Sequence, residues 1–78
     1  MKYIATFHTH LSAMLSCRAL QQAGLPAKMT PVPRAISASC GTCVRYEGEA
    51  PHSELLDEDA EALYEEEGET FRLLQSME

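Results

Sequence analysis

No apolar run in this 78-residue chain approaches the roughly 20 residues of a membrane span, and no signal peptide is read at its start: Lys2 is followed by a short apolar stretch that His8 and His10 interrupt. The expectation is a protein that stays in the cytoplasm, away from the membrane. Basic residues are scarce, six against twelve acidic ones, for a net charge of −6. A nucleic-acid binder would show a basic face, and none is visible, so no nucleic-acid partner is expected. Cysteine is also sparse. Three cysteines are an odd count, and without a secretion signal they argue against a disulfide framework; in the cytosol they would be thiols, metal ligands or nucleophiles. Length excludes a deep substrate cavity: residues 1–78 make one small domain, enough for one layer of helices on one sheet. A carrier, a binding module or a small redox protein fits better than an enzyme of large substrates.

Residues 2–7 read as a strand, rich in β-branched and aromatic side chains. Thr9 is placed to cap a helix over residues 10–23, whose apolar stripe is Ala13, Cys17, Leu20 and Gly24 with Met14 beside it; Gly24 then stops it. A short strand over 27–30 meets Pro31 and Pro33, which end it or restrict it to an edge. Residues 34–41 form a loop, and 42–47 return to strand character with Val44 and Tyr46 on one face and Cys43 and Arg45 on the other. Ser53 can cap a second helix to about Glu67, with Leu56, Ala60, Leu63 and Tyr64 inward and Gly68 as its stop. Its last turn, Glu65 to Glu67, lies at the unfavourable end of the helix dipole. A final strand covers 70–75. The order β-α-β-β-α-β predicts an α+β, ferredoxin-like plait: a small antiparallel sheet with two helices on one face.

The residues that invite chemistry lie in Ile36-Ser37-Ala38-Ser39-Cys40-Gly41-Thr42-Cys43. Small neighbours leave the Cys40 thiol open to a bulky partner, and Gly41 permits a backbone turn that other residues resist. Such a turn, with Ser39, can aim N–H groups at an anion such as a thiolate or persulfide. A thiolate can attack a persulfide and become one itself, which makes cysteine a natural carrier of sulfur. In the plait, strand three pairs antiparallel with strand one, so Cys40 should lie near Phe7 to His10, with His8, His10 and the helix N-terminus approaching one thiol. Arg34, at the end of the rigid Pro31-Val32-Pro33 frame, could add positive charge, although that segment also reads as a plain connector. His8 and His10 have the alternative reading of solvated or capping residues, and Cys17 that of an inert core thiol.

Cys40 and Cys43 make a Cys-x-x-Cys pair, which opens two further readings. One is thiol–disulfide redox chemistry with Cys43 as resolving thiol, although the pair precedes a strand rather than a helix. The other is a zinc module using Cys40, Cys43, His8 and His10, although His-x-His is not the usual finger spacing.

From the N-terminus to about Glu47 the chain resembles the selenium/sulfur carrier-like family. The resemblance rests on Tyr3–His8, on Leu20 to Gly24 leading into Leu25, on Pro31-Val32-Pro33-Arg34, and on Ile36-Ser37-Ala38-Ser39-Cys40-Gly41. It implies a role in handling selenium or sulfur with Cys40 in the family's cysteine position. The family pattern does not require a cysteine at position 43, which leaves a resolving or metal-binding role open there. The resulting expectation is a shuttle without a cofactor. Cys40 accepts sulfur or selenium from a donor enzyme, such as a cysteine desulfurase, and passes it to an acceptor enzyme, with Gly41, Ser39, Arg34 and His8 around the anion.

Overall fold

The computed structural model describes residues 1–77. Strand β1 (Lys2–Phe7) leads into helix α1 (His10–Gln22), followed by β2 (Ala27–Pro31), β3 (Thr42–Glu47), a 3₁₀ turn (Ser53–Leu55), β4 (Ala60–Glu67) and β5 (Thr70–Ser76). The strands form one antiparallel sheet in the order β2-β3-β1-β4-β5. Pro31 ends the edge strand β2, where its missing N–H disrupts no interior ladder. Among the described residues no helix is long and apolar enough to cross a membrane.

Local chemistry explains the first half. The Thr9 side chain accepts from Ser12 N at 3.2 Å, capping α1. At the other end Gly24 turns left-handed at φ 87°; Leu25 N donates to Leu20 O and Gly24 N to Gln21 O, each at 3.0 Å. This is a Schellman stop, and Leu25 packs against the core that contains Leu20. Helix α1 lays Ala13, Cys17 and Leu20 on the sheet face formed by Tyr3, Ala5, Phe7, Val44, Tyr46 and Leu63.

The plait with two helices does not form. The stretch expected as a second helix contains only the 3₁₀ turn and then β4, which pairs with β1; Ser53 begins that turn instead of capping a helix. The reason lies in the register. Thr6 faces Ala62 but Phe7 faces Ala60, so Glu61 is an extra residue in a β-bulge. The bulge puts Ala60 and Leu63, three positions apart, on the same buried face, which imitates a helical spacing. As a strand the acidic run also gains partners: Glu65 and Glu67 pair with Arg72, and Glu66 lies 3.8 Å from Arg45. Gly68 closes the β4–β5 hairpin at φ 62°, the left-handed conformation favoured at a tight hairpin turn, rather than stopping a helix.

The sheet face away from α1 holds a smaller cluster of Ile4, Cys43 and Ile36, flanked by Val32, Tyr64 and Phe71. Ile36 comes from the β2–β3 connection, so that loop folds over the sheet and supplies part of its second core.

Candidate functional site around Cys40

The site is assembled where β1 leaves the sheet and β3 enters it. Thr6 pairs with Cys43 in the antiparallel register, so the segment before Thr42 lies beside the segment after Phe7. Helix α1 begins there too, and Ala60 pairs with Phe7 at the start of β4. The sequence-based expectation that Cys40 lies toward Phe7–His10 needed only the β1–β3 pairing, and that pairing is present without the plait.

The loop carrying Cys40 is fixed at several points. Ile36 is 7% exposed and plugs the second core, and its N–H donates to Pro33 O at 3.0 Å. Val32 N donates to Gly41 O at 3.1 Å. Ser39 donates twice to one carboxylate, from its N–H to Glu61 Oε1 at 3.0 Å and from its hydroxyl to Glu61 Oε2 at 2.5 Å. Glu61 Oε2 also lies 3.4 Å from His8 Nδ1. Burial pushes the Glu61 carboxyl up, but the Ser39 hydrogen bonds and the charge of His8 outweigh it and hold the group below the ordinary 4.5.

The three cysteines, all free thiols, have different surroundings. Cys40 is half-buried on the loop, whereas Cys17 is 6% exposed and Cys43 fully covered. Burial pushes the Cys17 thiol up. It does the same to Cys43, offset in part by Thr30 and Arg45. The Cys43 sulfur lies 3.3 Å from Thr30 Oγ1 and 3.7 Å from Pro31 O, within the cluster of Ile4 and Ile36. Strand alternation accounts for this: Val44 and Tyr46 take the helix side, and Cys43 takes the side under the loop.

The other expected site residues are less closely tied together. His8 and His10 are exposed, and among the described residues no three of the His, Cys, Asp and Glu side chains are arranged to hold a metal ion; the Cys40, Cys43, His8 and His10 set is not assembled. Arg34 lies on the loop's exposed turn. Gly41 does not have the special conformation expected of it: its φ is outside the left-handed range and a Cβ there would meet nothing within 4 Å. An open cavity of about 470 Å³ lies at the other end of the sheet, among Lys2, Lys28, Arg45 and Glu47, and includes none of the Cys40 loop.

Two residues that the sequence reading passed over shape the site. Glu61 is one. Asp59 is the other: its Oδ2 accepts from Ser12 Oγ at 2.8 Å and Thr9 Oγ1 at 3.2 Å, and its carbonyl accepts from His8 N at 3.4 Å. This pins the start of β4 to the N-terminus of α1. No local signal marks either residue, because each acts on a segment far away along the chain.

Fold and site together define a small α+β protein, an antiparallel sheet with one helix, that presents one half-buried thiol from an anchored loop. The chain matches the family profile described as "Putative Se/S carrier protein-like" over residues 2–68, and it belongs to that family. The match runs well past the segments on which the sequence resemblance rested and takes in Glu61. No curated protein and no solved structure matches the chain.

Proposed function

We propose that this protein carries sulfur or selenium as a persulfide or perselenide on Cys40. The observation that supports this most is the contrast among the thiols: Cys40 is half-buried on an anchored loop, whereas Cys17 and Cys43 are buried. In the loading step the Cys40 thiolate attacks the outer sulfur of a donor persulfide. A bond forms between Cys40 Sγ and that sulfur, the donor's S–S bond breaks, and the donor leaves as a thiolate. Delivery repeats the step, with an acceptor nucleophile attacking the outer atom and Cys40 leaving as the thiolate. Neither step requires an external oxidant, reductant or cofactor. The donor is a desulfurase-type enzyme and the acceptor an enzyme that incorporates the atom, both in the cytosol. Arg34, on the same loop, supplies positive charge to the anion, and Gly41 leaves it room.

The test is loading from a persulfide donor, read as trapped sulfane sulfur on Cys40→Ser, Cys43→Ser and Cys17→Ser. Cys40→Ser is expected to load nothing and Cys17→Ser to load like the parent. If Cys40→Ser loads as well as the parent, the proposal is wrong. Longer retention of the persulfide on Cys43→Ser would assign Cys43 the resolving role.

A further inference from the structure

We infer that Glu61, the extra residue of the β4 bulge, is a positioning residue that clamps Ser39 and thereby holds Cys40 in place for transfer; this rests on the carrier reading of Cys40.

An ordinary surface carboxylate would be exposed and singly bonded. Glu61 is 12% exposed in its side chain, and both of its oxygens are engaged by the same residue, through one main-chain and one hydroxyl donor. Bulges re-aim a side chain relative to the regular pleat. Here the bulged residue is the one whose carboxylate reaches a loop 22 positions away. Cys40 is the residue between two fixed points, the Ser39 bonds on one side and the Gly41 carbonyl bonded by Val32 on the other. A negative carboxylate beside a carrier anion would be adverse if it faced that anion openly. The donors of Ser39 and the imidazole of His8 occupy Glu61, so the clamp holds the loop while its charge is balanced. Displacing a reacting group by about 1 Å can cost on the order of 100-fold in rate, which is the scale on which such a clamp matters.

The experiment uses Glu61→Ala, Glu61→Gln and Ser39→Ala in the full chain. Three quantities are read: exchange of the Ser39 amide, native-state iodoacetamide labelling of Cys40, and transfer of sulfur from loaded Cys40 to a small thiol. Gln keeps an acceptor for the Ser39 N–H and a donor for its hydroxyl, so Glu61→Gln should stay near the parent. Glu61→Ala should lose Ser39 protection by about tenfold or more, change the Cys40 labelling rate several-fold and slow transfer by about tenfold or more, with Cys17 and Cys43 still protected as evidence of folding. Ser39→Ala, at an exposed position, should show part of the transfer loss even if Glu61→Ala does not fold. Unchanged Ser39 exchange in Glu61→Ala overturns the clamp. Lost protection with unchanged labelling and transfer overturns the positioning role, as does Glu61→Gln failing as badly as Glu61→Ala while Ser39 stays protected. If the parent accepts no sulfur, the carrier reading fails by itself, and the clamp is judged on exchange and labelling.

Discussion

Native-state alkylation separates the three thiols, and its magnitudes can be worked from the packing. Cys40, half-buried on its loop, is the most exposed of the three. Cys43 is covered by the loop, and exposing it requires lifting at least Ile36, 7% exposed, out of the cluster with Ile4. Unburying an isoleucine costs about 2 kcal/mol, which slows labelling about 30-fold at about 1.4 kcal/mol per factor of ten. Cys17 lies under α1 with Ala13 and Leu20, so it is reached only when the helix leaves the sheet, close to global unfolding. For a domain of this size that is about 5 kcal/mol, and labelling about 10³-fold or more below an open thiol. Burial also raises both thiols above the ordinary 9.0, which thins their thiolate further. The expected order is Cys40, then Cys43, then Cys17. The assay is a short iodoacetamide pulse at neutral pH with peptide mass spectrometry, alongside a denatured control in which the three rates converge. Native labelling of Cys43 as fast as Cys40, or Cys40 as slow as Cys17, would refute the reasoning.

Gly68→Ala places a Cβ at φ 62° and should cost about 1 kcal/mol, lowering the thermal midpoint by about 4–8 °C; Gly41→Ala, with ordinary φ and open space, should stay within about 0.5 kcal/mol. Equal losses at the two sites in thermal melts would contradict the backbone geometry. Glu61 is held below its ordinary 4.5, so the unfolded chain binds its proton more readily; its contribution to stability is present above 4.5 and is lost as pH falls through the lower folded value. Melting midpoints of parent and Glu61→Gln should therefore converge on acidification below 4.5, and a gap that widens there would reverse the sign.

What could be read from the sequence was whatever neighbouring residues decide. The β-branched and aromatic run of β1, the Thr9 cap and the Gly24 stop are short-range features, and each is found where its chemistry puts it. The evidence for a second helix is the spacing of Leu56, Ala60, Leu63 and Tyr64; the bulge reproduces its Ala60–Leu63 step on one face of a strand, while Tyr64 packs on the opposite face. Only the pairing with β1 reveals that Glu61 is supernumerary, and that pairing joins residues more than 50 positions apart. The unfavourable placement of Glu65–Glu67 in a helix was a real conflict. The chain resolves it by making them strand residues opposite Arg72 and beside Arg45.

The site follows the same division. That Cys43 and Arg45 share a face was legible, since alternation along a strand is a local rule. That this face is covered was not, because the cover is Ile36 folding back from the loop. The covering changes how the Cys-x-x-Cys pair is read. Cys40 ends a loop and Cys43 is already in the ladder, paired with Thr6 on one side and Thr30 on the other. In a redox pair at a helix N-terminus the backbone presents both sulfurs toward the same end. Here the strand sends the Cys43 sulfur beneath the loop, to Thr30 and the Pro31 carbonyl, and it can engage a partner at Cys40 only by leaving them. A pair so divided between loop and ladder leaves the Cys43 side chain in the core that supports the loop.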